Sequence, residues 1–183
     1  MKRKFQNNKN SKIVFSFGYI SIAFLCGLAV MFPEKFVPYV LCVAIHELGH
    51  IAVIMYCGYE TLELSFKVMR IDMIDFSKNM RPYSEQAMIS IAGPLANIVT
   101  ALIFNLIYIN THIEFFGVCN IISEWLCFFN IVPMCGTDGG ELLEIFLNEY
   151  FDCGTVSVLM RICTAVFGLL MLYLAVSSGK TLF

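Results

Sequence analysis

Residues 86–113 run for 28 positions without one Asp, Glu, Lys or Arg. A helix needs about 20 apolar residues to cross the hydrocarbon core of a bilayer, so this stretch is long enough to span. Four other stretches behave alike. Residues 13–33 carry no charge, 36–59 carry only Glu47, 115–137 only Glu124 and 153–179 only Arg161. Composition bears on the same point. Of the 183 residues, 58% are hydrophobic and 14% charged, whereas a soluble domain has about 25% charged residues. A globule of this size has too much surface to hide so much apolar material. The expected fold is therefore an all-α polytopic membrane protein with about five transmembrane helices, built as one membrane-embedded domain over 1–183 with no soluble domain.

Positive charge orients such a chain. Lys2, Arg3, Lys4, Lys9 and Lys12 precede the first run, and Lys67, Arg70, Lys78 and Arg81 lie between the second and third. A cytoplasmic N-terminus with five spans places both groups inside and leaves only Lys35 and Lys180 outside. The expected location is the cell membrane, with multiple passes. The first run follows a basic segment, as a signal sequence would. It is too long for one and has no convincing small-residue cleavage site, so it reads as an uncleaved span. The net charge of −2 offers no basic face for nucleic acid. Eight cysteines at irregular spacing, with no C-x-x-C pair, suggest neither a disulfide framework nor thiol redox chemistry.

Residues 60–76 leave the helical pattern. Leu62, Leu64, Phe66 and Val68 alternate with Glu63, Ser65 and Lys67, a period of two. The apolar phase then flips, so that Ile71 and Met73 alternate with Arg70 and Asp72. A small β-hairpin between the second and third spans is expected, at the cytoplasmic membrane surface.

The second span contains His46-Glu47-Leu48-Gly49-His50. On a helix, positions i and i+4 share a face. His46 and His50 can grip one metal ion there, with Glu47 beside it, in the H-E-x-x-H arrangement of zinc hydrolases. Neutral imidazoles suit zinc, and a carboxylate can take a proton from water that the metal has acidified. A lone membrane histidine is usually packed, but two His and a Glu within five residues are costly in lipid and mark function. A catalytic zinc site has three protein ligands and an open position. The remaining histidine, His112, falls at the opposite surface. Asp138, in Asn130-Ile131-Val132-Pro133-Met134-Cys135-Gly136-Thr137-Asp138-Gly139-Gly140, is the best third candidate. It reads equally well as a helix N-cap answered by Glu141. The Cys135 thiolate could compete with it for zinc, although a packed thiol is the simpler reading.

These residues resemble the site-2 protease family of intramembrane zinc metalloproteases. Three pieces match in order: the His46–His50 motif, then Ser90-Ile91-Ala92-Gly93-Pro94-Leu95-Ala96-Asn97 in the third span, then Phe129-Asn130-Ile131-Val132-Pro133 followed by Asp138-Gly139-Gly140. The resemblance covers about residues 36–147, the family's catalytic core, and the compact form is nearest its bacterial sporulation-type branch. It implies that His46, His50 and Asp138 ligate Zn2+ and that Glu47 is the catalytic carboxylate. It also implies that Asn130 lies near the site as an oxyanion or substrate contact. Asn97 could hydrogen-bond across the helices or contact substrate. The implied activity is cleavage of a transmembrane or membrane-adjacent protein segment near the cytoplasmic face. A membrane protein substrate and the lipid bilayer are then the partners, with a regulatory membrane partner and the oligomeric state left open. Rival readings are a non-proteolytic zinc-binding membrane protein of the same fold and a metal transporter. From the expected topology, His50 sits nine residues before Tyr59, about 14 Å along the helix, so water must reach it through a polar cavity.

Overall fold

The computed structural model describes residues 13–17, 26–27, 29–58, 62–67, 70–75 and 82–179. In chain order they form β1 (Ile13–Phe17), α1 (Pro33–Tyr56), β2 (Leu62–Lys67), β3 (Arg70–Asp75), α2 (Tyr83–Thr111), α3 (Glu114–Ile131), α4 (Asp138–Leu147) and α5 (Cys153–Gly179). α1, α2, α3 and most of α5 are long and apolar enough to cross a membrane, four candidate spans in all among the described residues. Large apolar side chains such as Leu48, Leu95, Leu102, Leu106, Trp125 and Leu169 stand exposed on them. In water that surface would be a liability; in lipid it is solvated.

The expected fold class needs correction in two places. Among the described residues there are four candidate spans, not five. Residues 13–17, expected to open the first span, are a strand. Their sequence, Ile-Val-Phe-Ser-Phe, is a short apolar run rich in β-branched and aromatic residues, which periodicity cannot tell from a buried helix. Nor is the extended segment an isolated hairpin between the second and third spans. β2 pairs antiparallel with β3, Leu62 opposite Asp75 and Lys67 opposite Arg70. β1 pairs parallel to the other edge of β2, Ile13 opposite Leu62. The result is a three-stranded mixed sheet in the order β1-β2-β3.

Helix boundaries follow from local chemistry. α1 opens with Pro33, whose fixed φ suits the first helical position. α3 stops at Ile131, short of the expected 115–137, because Pro133 disfavours helical backbone in the residue before it; Val132 is extended, with φ −60° and ψ 130°. α2 ends at His112, which adopts the left-handed conformation and donates its N–H to the Tyr108 carbonyl at 2.8 Å. α2 is the hub of the bundle, packed against α1, α3 and α4. Where α1 meets α2, Gly49 lets the backbones touch: a Cβ there would lie 2.7 Å from the Ala92 carbonyl oxygen. Ile54 and Ile89 form an apolar cluster on the same seam.

Candidate metal centre

His46 and His50 lie one turn apart on α1 and are both buried. Their Nε2 atoms face each other at 3.1 Å. Asp138 approaches from the start of α4, and its Oδ2 lies 3.1 Å from His46 Nε2 and 3.5 Å from His50 Nε2. These atoms form the one cluster of its kind found among the described residues. A tetrahedral zinc ion with bonds of 2.0–2.1 Å to nitrogen and oxygen needs its ligand atoms about 3.3 Å apart. The three observed edges bracket that value. Asp138 Oδ2 is buried, with no hydrogen bond to any group other than the two imidazole nitrogens. At most one proton can sit between the facing nitrogens, so a cation at the common centre is what these three atoms fit. His46, His50 and Asp138 could hold a metal ion.

The α3–α4 connection aims the carboxylate. Cys135 and Gly136 form a turn closed by the Thr137 N–H on the Met134 carbonyl at 3.2 Å. Gly136 takes the positive φ of 94° that this turn demands. Thr137, not Asp138, is the N-cap of α4, and its hydroxyl accepts from the Gly140 N–H at 3.0 Å. Asp138 is thereby released from capping and becomes the first helical residue, its side chain free for the histidines. Gly139 and Gly140 are needed because the loop folds back tightly. A Cβ on Gly139 would run into the Ile131 carbonyl, and one on Gly140 into the Met134 carbonyl.

α2 supplies the other wall. Gly93 stands directly behind the imidazoles, where a Cβ would overlap His50 Nε2 and lie 2.6 Å from His46 Cε1. The Ile89 carbonyl accepts from His50 Nδ1 at 2.7 Å, and the Asn97 side-chain amide lies 2.9 Å from His46 Nδ1. Pro94 has no N–H to offer the preceding turn. Glu47 is half-buried on α1 between the two histidines.

The other sequence-derived candidates are placed as follows. Asn130 is part-buried at the end of α3 and donates to the Leu126 carbonyl at 2.9 Å. Asn97 is wholly enclosed and faces His46. Cys135 is exposed, and its backbone N–H donates to Thr164 Oγ1 at 2.8 Å. Glu124 and Arg161 are both exposed. Two participants escaped sequence reasoning. Thr137 as the cap was legible in principle, since Thr is itself a preferred N-cap residue. The Ile89 carbonyl was not, because every residue carries one.

The fold has a solved counterpart. Site-2 Protease from Methanocaldococcus jannaschii superposes with a TM-score of 0.70 at 20% sequence identity, over 96% of this chain and 86% of that one. The chain has the site-2 protease fold. No protein-family model and no curated protein matches its sequence. The fold and the His-His-Asp cluster are thus two separate observations: one concerns backbone shape, the other side-chain chemistry.

Proposed function

We propose that this chain is an intramembrane zinc metalloprotease that cuts a transmembrane or membrane-adjacent protein segment near the cytoplasmic face. The observation that carries the reading is the convergence of His46, His50 and Asp138 from two separate helices, with Glu47 next to His46 in the chain. The site-2 protease fold supports it. His46, His50 and Asp138 would hold the ion, which supplies Lewis acidity toward water and a peptide carbonyl.

The chain's own part follows from residue chemistry. The Glu47 carboxylate accepts a proton from the attacking water and delivers it to the leaving nitrogen, the general base and general acid of one cycle. His50 Nδ1, tied to the Ile89 carbonyl, keeps its ring fixed while this happens. α1 ends at Tyr56, six residues beyond His50, or about 9 Å along the axis. Water therefore has a short way to travel from that end of the helix. The basic residues between α1 and α2 favour a cytoplasmic position for that end. A helical peptide bond is shielded by its own backbone, so the substrate segment must unwind before it can be cut.

The test is co-expression of the wild type and Glu47→Gln with candidate membrane substrates, followed by zinc measurement on the purified proteins. Glu47→Gln should keep its zinc and lose cleavage by at least about 100-fold. A chelator should abolish wild-type cleavage, and added Zn2+ should restore it. Equal cleavage by both forms would remove the mechanism.

A further inference from the structure

One face of α2 braces both imidazoles. Ile89, Gly93 and Asn97 are spaced by four and stack along that face. The middle residue makes room for the rings, and the outer two meet their Nδ1 atoms. At His50 the partner is a backbone carbonyl, which can only accept. Nδ1 must therefore carry the proton, and Nε2 keeps its lone pair for a metal. His46 has the same requirement, and the group at its Nδ1 is the Asn97 amide, 2.9 Å away and fully enclosed.

An amide presents a donor at one end and an acceptor at the other, and a half-turn exchanges them. With the nitrogen toward His46, Asn97 Oδ1 is buried without a partner. With the oxygen toward His46, the NH2 group takes that place. Each orientation strands one end, so the hydrogen bonds of the amide do not choose between them. His46 chooses. If Nδ1 accepts from the amide, Nε2 must hold the proton and cannot bind a cation. If Nδ1 donates to the amide oxygen, the Nε2 lone pair joins that of His50 and Asp138 Oδ2.

We propose that Asn97 is a positioning residue whose side-chain oxygen accepts the His46 Nδ1–H and so holds His46 in its metal-binding tautomer, as the Ile89 carbonyl does for His50. The proposal rests on the metal-centre reading of His46, His50 and Asp138, not on proteolysis. In the empty centre the same amide can turn over and donate to Nδ1, leaving His46 Nε2–H for Asp138. A carboxylate at this position can only accept, and so would hold the proton on His46 Nδ1.

That asymmetry supplies the test. Zn2+ affinity is measured on the purified full chain in detergent, at one pH, by competition with a chromophoric chelator. Asn97→Leu, the same branched frame of heavy atoms but bulkier and without an acceptor, should bind zinc about 10- to 100-fold more weakly. Asn97→Asp, an acceptor with no donor, should match or exceed the wild type. Wild-type affinity in Asn97→Leu overturns the proposal, and so does an Asn97→Asp loss as large as that of Asn97→Leu, which would mean a donated hydrogen bond or packing alone. Should Asn97→Leu not fold, Asn97→Asp decides by itself: affinity at or above wild type supports the proposal, and a tenfold loss overturns it. A wild type that binds no zinc defeats the metal-centre reading and this proposal together. Cleavage plays no part in the readout, so a wild type that binds zinc and cuts nothing defeats the proteolytic reading alone.

Discussion

Replacing Gly93 by alanine adds one methyl group at the most crowded point of the centre. The new Cβ would lie 2.6 Å from His46 Cε1 and from His50 Cε1 and would overlap His50 Nε2. Carbon atoms in comfortable contact stay about 3.5–4.0 Å apart, so rings or backbone must retreat by about 1 Å. The rings have little freedom to do so. His50 is tied to the Ile89 carbonyl at 2.7 Å and His46 lies 2.9 Å from the Asn97 amide, both on the helix that carries the methyl. If α2 backs away instead, those contacts lengthen together. Metal–ligand distances tolerate only about 0.2 Å, and a 1 Å misplacement of catalytic groups costs about 100-fold in rate, equivalent to about 2.7 kcal/mol.

Gly93→Ala should therefore lower both zinc affinity and substrate cleavage by about 100-fold or more. Overpacking itself costs about 1–3 kcal/mol of stability, so two comparison variants are needed. Gly168→Ala adds its methyl where nothing outside its own stretch of helix backbone lies within 4 Å, and Gly117→Ala presses on the Tyr108 ring at 3.1 Å, away from the histidines. Zinc affinity is read by chelator competition, and cleavage by the co-expression assay. Gly168→Ala and Gly117→Ala should bind zinc as the wild type does. A Gly93→Ala protein that holds zinc within about threefold of wild type would refute the argument, because its rings would then have moved freely.

Thr137→Val keeps the volume of the N-cap but removes the oxygen that accepts from Gly140. It should cost about 1 kcal/mol in thermal unfolding and weaken zinc binding through the adjacent Asp138; an unchanged zinc affinity would show that the cap does not aim the carboxylate. At the start of α5, Asp152 accepts from the Thr155 hydroxyl at 2.7 Å and from its backbone N–H at 3.1 Å. Those bonds hold its carboxyl below the usual range. The sign follows: the contribution to stability is complete above the unfolded carboxylate pKa of about 4 and disappears as pH falls through the lower folded value. Asp152→Asn should flatten the acid limb of melting temperature against pH, and an unchanged limb would remove the capping role.

Much of the centre was legible because its signals are local. His46 and His50 announce themselves through a spacing of four within an apolar run, where two imidazoles and a carboxylate are too costly to keep without use. Asp138 was legible as a position and ambiguous as a role. An Asp before Gly-Gly-Glu makes a good cap, and only the fold shows Thr137 taking that task one residue earlier. Gly93 was visible as one residue of the Ser90–Asn97 match. That it faces two histidine rings is a fact of how α2 lies on α1, which spacing within one helix cannot supply. The expected start of the first span, Ile13–Phe17, was misread for a related reason. Length and apolarity count residues but do not pair them, and Ile13–Phe17 is fixed as a strand by its partner Leu62–Lys67 across 44 intervening residues.

The matched spacing of the two helices explains why this centre can be rigid with so few polar groups. His46 and His50 are one turn apart on α1. Ile89, Gly93 and Asn97 mark two successive turns on α2. Where such helices lie in close contact, as Gly49 allows, the rows fall into step: acceptor, gap, amide on one side, ring and ring on the other. Each ring is then held at Nδ1 by α2 and presents Nε2 to Asp138. A loop could make the same contacts, but it would have to fix each of them separately against its own conformational entropy. Two packed helices fix them through one shared geometry. That is why a single residue type, glycine at position 93, bears so much of the constraint, and why the polar ligand from α4 can arrive on a short helix that adds one carboxylate to a frame already set.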